Sequence, residues 1–375
     1  MKKDITDICN CLKNIIVPDM PVDFSIAEPF RHGLADAELR AGMTAFRRFL
    51  FDLINRLSIE GADFDPKKAA MYDPENGMRS MKCFPAVTQL PELLFFIGYH
   101  GKLDTEPTHE LTVTGSDLLL VPKPKSEKFM RLGKISGKRL SEYFNFLSEM
   151  GFYFEGLDCS KRIDLSKTSV FHVTNENDSN IILGLKLIVE AVMQLKSDYV
   201  EIPALLRGYF YPLENETLSK HKVEIGDCIQ SQPPEIREWI IGLDNFLTAN
   251  GCSFKGEFIE WPYFSRFTYT SRKSKQWVCI LEMKITGDYI KPNCNYAKRL
   301  DFLQPKLTEN MLRIMRSDGC GCGASVCQYG GAFKTTYNDE EFISCRFVGF
   351  PFPMDNADER GVITEWVKKE LALSI

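Results

Sequence analysis

Asn145-Phe146-Leu147-Ser148-Glu149-Met150-Gly151-Phe152-Tyr153-Phe154-Glu155-Gly156 stands 100 positions ahead of Asn245-Phe246-Leu247-Thr248-Ala249-Asn250-Gly251-Cys252-Ser253-Phe254-Lys255-Gly256. Six of the twelve residues are identical, and Ser148 is exchanged conservatively for Thr248. A sparser copy lies 90 positions upstream, where Asn55, Leu57, Ser58, Gly61 and Phe64 correspond to Asn145, Leu147, Ser148, Gly151 and Phe154. Self-similarity at a fixed period points to one supersecondary unit used repeatedly, here of roughly 90 residues. Upstream of each glycine the apolar residues recur at helical spacing. They are Phe46, Phe49, Leu50, Leu53 and Leu57; then Leu140, Tyr143, Phe144 and Leu147; then Ile236, Trp239, Ile240, Leu243 and Leu247. Each stripe ends on a Leu four residues before its glycine. A glycine just past a helix can take the left-handed conformation that stops it. Phe64, Phe154 and Phe254 then point back into the core as the chain leaves in a strand.

Working outward, a hairpin pattern follows each helix. It reads Phe171-His172-Val173-Thr174, a turn and an apolar run over 181–189; then Phe267-Thr268-Tyr269-Thr270, a turn and 277–285. The first copy is looser, with 84–88 and 93–99, and the pattern returns at 333–336 and 342–347 with Cys345 expected opposite Lys334. Such β-branched and aromatic runs bounded by turn residues predict antiparallel hairpins. Apolar segments at 111–121 and 199–211 precede the middle helices and complete a strand–helix–strand–strand unit. The predicted fold is α+β, with repeated units whose antiparallel sheets carry helices on one face. The units are expected at 1–120 (with an N-terminal helical extension), 121–200, 201–300 and 301–375. The last is degenerate and closes with a helix from about Asp358, capped by Asp355 or Asn356 and buried along Ile363, Trp366, Val367 and Leu371. Linkers are expected over 122–137, 214–234 and 291–304.

Composition is that of an ordinary globular chain: 375 residues, 44% hydrophobic and 26% charged, which argues against disorder. A net charge of −5 opposes generic nucleic-acid binding, and the basic stretches 123–128 and 272–275 read as solvated turns. Asp4, Asp7 and Lys13 interrupt the N-terminal region before it could serve as a signal peptide, and no apolar run is long enough for a membrane span. The expectation is a cytoplasmic protein whose 12 cysteines are reduced.

Two constellations carry chemistry. Cys320, Cys322, Cys327 and Cys345, with glycines at 319, 321 and 323, offer the four thiolates of a structural zinc. Isolated reduced cysteines and a redox Cys-x-Cys dithiol at Cys320 and Cys322 are the other readings of the same residues. The aromatic groups Tyr209-Phe210-Tyr211-Pro212, Trp261-Pro262-Tyr263-Phe264 and Phe350-Pro351-Phe352-Pro353 either line a ligand concavity or pack as core. The five histidines lack metal-type spacing, and mid-strand His172 reads as a hydrogen-bonded sheet residue.

The stretch from Trp261 through Cys345-Arg346-Phe347 resembles conserved bacterial proteins of unknown function with a cysteine-rich C-terminal hairpin, which implies no activity. The paired units resemble, in topology, the bowl-shaped effector-binding domains of multidrug-responsive regulators and gyrase-inhibitory proteins. Val200-Glu201-Ile202-Pro203-Ala204-Leu205 is similar to the opening strand of those domains, although their ligand carboxylate has no match here. That resemblance implies small-molecule binding. The function expected is a non-enzymatic protein that binds a small molecule or a protein partner through Tyr209, Tyr211, Trp261, Tyr263 and Phe264 between repeats. A zinc staple is the one cofactor expected. A thiol-dependent oxidoreductase and a purely structural scaffold are the alternatives.

Overall fold

The structure, a computed structural model, describes residues 5–13, 16–17, 19–71, 83–120, 134–194, 205–215, 225–229, 232–259, 264–284, 287–294, 296–317, 332–345 and 349–374. The chain forms two compact units, 1–222 and 223–375, and its fold is α+β. The expected segments 1–120 and 121–200 fall within the first unit, 301–375 falls within the second, and 201–300 straddles the division.

In the first unit the helices are α1 (Ile5–Lys13), α2 (Asp36–Glu60), α3 (Pro66–Ala69), α4 (Ala86–His100), α5 (Gly137–Ser148) and α6 (Asn180–Met193). Strands β1 (Lys102–Asp104), β2 (Glu110–Thr114), β3 (Phe152–Glu155) and β4 (Val170–Asn175) pair antiparallel in the order β1-β2-β4-β3. Alternation divides the sheet cleanly: Leu111, Val113, Phe152, Phe154, Phe171 and Val173 are buried against helices, while Thr112, Tyr153, Glu155 and His172 face outward. Helix α6 runs through the core between α2 and α4. Its crossing with α2 is set by Gly42 and Gly184. A Cβ on Gly184 would meet the Gly42 carbonyl and the Phe46 Cβ, so the two backbones touch where no side chain fits.

In the second unit the elements are α7 (Ile225–Cys228), α8 (Pro234–Ala249), β5 (Cys252–Ile259), β6 (Phe264–Ser271), β7 (Trp277–Lys284), β8 (Gly287–Pro292), α9 (Glu309–Ser317), β9 (Ala332–Tyr337), β10 (Glu340–Cys345), β11 (Phe352–Pro353) and α10 (Ala357–Ser374). Five strands form one antiparallel sheet, β11-β8-β7-β6-β5; β9 pairs with β10 and is bridged in parallel through Thr336 to Arg299. Helix α10 is capped by Asn356, whose side chain accepts from the Asp358 N–H at 3.1 Å. Its stripe Ile363, Trp366, Val367 and Leu371 is buried, and the Trp366 indole N–H donates to the Asn293 carbonyl at 2.9 Å.

The glycine-terminated helix recurs in both units. Gly151 and Gly251 have φ of 92° and 87°. The N–H of each donates to the residue three before it, Ser148 and Thr248. Each glycine carbonyl accepts from the residue just past the partner of the strand that follows it, from Glu176 after β4 at 2.8 Å and from Arg272 after β6 at 3.0 Å. Gly61 differs. Its φ is −64°, and it ends α2 in right-handed geometry with its N–H on the Leu57 carbonyl.

Three expected strands are corrected. Residues 84–88 and 93–99 belong mostly to α4, and 181–189 lie inside α6. Both helices are buried over most of their circumference, and a continuous apolar run such as 93–97 or 181–185 carries no period that separates a buried strand from a buried helix. The described part of 199–211 is also not a strand: Leu205 and Leu206 form a helical turn and Tyr211 opens a 3-10 turn. The expected segment 111–121 is strand only to Thr114, after which Gly115–Leu119 is a 3-10 helix. Finally, Cys345 pairs with Ala332, whereas Lys334 faces Ile343, because the turn at Asn338 and Asp339 sets the register two residues tighter than expected.

Candidate functional site

A cavity of about 390 Å³ opens in the first unit. It lies where the 3-10 helix ends at Leu119, α5 begins at Gly137, and the loop after β3 passes through 162–166. Its lining consists of Leu119, Ile135, Leu140, Ile163 and Leu165 with Gly137, Arg162, Asp164 and Ser166. Ile135, Leu140, Ile163 and Leu165 are buried, and Arg162, Asp164 and Ser166 are exposed at the rim. The volume lies in the range of roughly 300–1,000 Å³ typical of small-molecule sites, and the combination of apolar wall and few polar groups is also typical.

Local sequence explains why this loop holds its shape. Asp158-Cys159-Ser160-Lys161 and Asp164-Leu165-Ser166-Lys167 are two copies of Asp-x-Ser-Lys, six positions apart. In each copy the Asp Oδ1 accepts from the Ser backbone N–H at 3.1 Å and from its hydroxyl, at 2.5 Å for Ser160 and 2.6 Å for Ser166. In each the other oxygen faces the Lys ammonium, at 2.8 Å for Lys161 and 3.3 Å for Lys167. These bonds hold both carboxyls below the usual carboxylate range, Asp158 at about 2. The loop is also tied to α5. Ile163 N–H donates to the Gly137 carbonyl at 3.1 Å, and the Ser141 hydroxyl donates to the Lys161 carbonyl. Ser136 caps α5 by accepting from the Arg139 N–H at 3.2 Å. The tandem Asp-x-Ser-Lys was the signal in the sequence, visible as spacing but naming no ligand.

Three other polar clusters among the described residues are paired internally. The Lys186 ammonium, half-sunk in the first unit, donates to the Gly98 and Gly101 carbonyls at 3.1 and 2.9 Å and lies 3.9 Å from Glu190. It thereby closes the carbonyl end of α4, where a cation is favoured, and burial pulls its pKa down. Glu190 in turn bonds His32 at 2.9 Å. His172 behaves as expected of a sheet residue, with Nδ1 2.6 Å from Glu110 on the neighbouring strand. In the second unit Glu282, fully buried, sits between Arg266 at 2.9 Å and Lys291 at 2.7 Å on three adjacent strands. Each arrangement pairs charges or caps an element. None sets a nucleophile against a base and an orienting group.

Tyr209 and Tyr211 pack with each other at 5.4 Å between ring centroids, and Tyr211 stacks on Phe210 at 4.7 Å, beside Phe24. They belong to the first unit and do not line the cavity. Phe264 opens β6 opposite Lys284 and Ile259. Trp261 and Tyr263 lie outside the described residues, as do Cys320, Cys322 and Cys327, so the cysteine cluster is represented only by the strand position of Cys345. Among the described residues no group of three or more His, Cys, Asp or Glu side chains is placed to hold a metal ion, and no helix is long and apolar enough to cross a membrane. Burial pushes the thiols of Cys159 and Cys252 up to about 11 and that of Cys294 to about 12, so these three are not nucleophiles at neutral pH. Comparison with protein families, with curated proteins and with solved structures yields no match to this chain.

Proposed function

We propose that the protein binds a small molecule without transforming it, and that the ligand occupies the cavity between the start of α5 and the 162–166 loop. The observation that carries this reading is the cavity itself, about 390 Å³ with an aliphatic wall and a polar rim. It agrees with the sequence expectation of a binding protein while moving the site away from the aromatic groups. A thiol-dependent oxidoreductase would need a depressed, accessible thiol, and the described thiols with a resolved shift all move the other way. The Cys320, Cys322, Cys327 and Cys345 cluster enters the proposal as a zinc staple of the second unit, on its sequence alone.

A thermal-shift screen of small molecules tests the site. Ser166→Trp places an indole at the exposed rim without entering the core. The expected result is that stabilising compounds lose their effect in this variant. Tyr209→Ala and Trp261→Ala provide the contrast: a ligand that responds to these and ignores Ser166→Trp belongs to the aromatic groups and sinks the cavity assignment.

A further inference from the structure

The geometry points to an organic anion with an aliphatic body as the class of ligand this cavity takes, an inference that rests on the binding reading above. The wall supplies the first half of the case. Leu119, Ile135, Leu140, Ile163 and Leu165 are all branched aliphatic residues, and among the described residues no aromatic ring lines the cavity. A flexible hydrocarbon buries its surface against such a wall at about 25 cal/mol per Å² wherever it lies, whereas a planar heterocycle gains most from a ring to stack on.

Charge at the rim supplies the second half. Four cations near this loop are already matched: Lys161 with Asp158, Lys167 with Asp164, and Lys138 and Arg139 with Glu142 at 3.8 and 3.1 Å. Arg162 sits between the two Asp-x-Ser-Lys turns and has no hydrogen bond or ion pair among the described residues. Its stem lies across Gly137, where a Cβ would come within 2.8 Å of the Arg162 Cγ and 3.2 Å of its Nε. The guanidinium stem is thus laid along the mouth of the cavity by the absence of a side chain at Gly137. Asp164 is the one carboxylate among the described lining residues, and its oxygens are taken by Ser166 and Lys167. Among the described lining residues Arg162 is therefore the uncommitted cation, and its planar donors match a carboxylate in bidentate fashion.

Isothermal titration of the full chain with octanoate, 1-octanol and octylamine separates the parts of this claim. Octanoate is expected to bind best and octylamine least. Arg162→Gln should weaken octanoate about tenfold, to the level of octanol, while leaving octanol unchanged. Arg162→Lys should recover part of the loss, and added salt should weaken octanoate selectively. Equal binding of all three probes, abolished by Ser166→Trp, would overturn the anion inference and leave the binding site standing. Binding of none of them, with other compounds still displaced by Ser166→Trp, would overturn the ligand class alone. If no compound at all responds to Ser166→Trp, the binding reading itself falls.

Discussion

Single residues in this protein do more to close backbone than to perform chemistry. Arg40 on α2 is the plainest case: its guanidinium donates to the carbonyls of Met20, Pro21, Val22 and Phe24, gathering an irregular segment onto the helix. His100 has a similar task at the end of α4, with Nε2 2.8 Å from the Leu120 carbonyl. Burial lowers its pKa below the ordinary 6.5, opposed by the Leu120 bond and Asp117 and assisted by Lys186. The consequence for pH has a definite sign. Below 6.5 the unfolded chain takes up the proton before the folded one does, so folding is weakened as pH falls from 6.5 through the lowered folded value. His100→Gln keeps a donor for Leu120 and removes the titration. Chemical denaturation across this range should therefore give a flatter dependence of stability on pH in the variant. An unchanged slope would mean that His100 stays solvated.

At the scale of elements, glycine placement makes opposite predictions for two helices. Gly184→Ala would gain about 1 kcal/mol of helix propensity on an open helix. Here the new Cβ meets backbone on α2, and the net effect expected is destabilisation by roughly 1–3 kcal/mol. Gly242 lies inside α8 with nothing within 4 Å of an added Cβ, so Gly242→Ala should stabilise by roughly 0.5–1 kcal/mol. Urea denaturation of both variants checks the pair, and stabilisation by Gly184→Ala would refute the close α2–α6 approach. The amphipathic helices and the β9–β10 pair were legible in the sequence because one face of each is wet and leaves a period. The left-handed Gly151 and Gly251 were legible from the glycine itself, and the β6–β7 pair from its β-branched and aromatic residues and the polar turn between them, although β7 is buried on both faces. Helices α4 and α6 were not legible as helices, since Leu93 to Ile97 and Ile181 to Leu185 are buried on every side. The cavity was illegible for another reason. Its walls come from Leu119, Ile135–Leu140 and Arg162–Ser166, and only folding brings those three stretches together.

The whole molecule is two units with separate cores. Trp366, Tyr269 and Phe350 centre the second, while Phe46, Phe144 and Phe171 centre the first. A core of its own is what allows a segment to fold alone. Chains 1–222 and 223–375, expressed separately, are expected each to give a cooperative thermal transition, and elemental analysis of the second should find zinc if the cysteine staple is real. Failure of either fragment to melt cooperatively would show that its core is incomplete without the other, and a metal-free second fragment that still melts cooperatively would remove the zinc.

The contact between Gly42 and Gly184 also imposes an order on biosynthesis. Helix α2 leaves the ribosome well over a hundred residues before its partner α6 exists. Loops of that length close slowly, and unpaired apolar surface in the interval invites aggregation. During translation the nascent chain therefore carries an exposed stripe of Phe46, Phe49, Leu50 and Leu53 until 180–193 emerges. The first unit cannot bury that stripe as the folded protein does until its most apolar helix has been made.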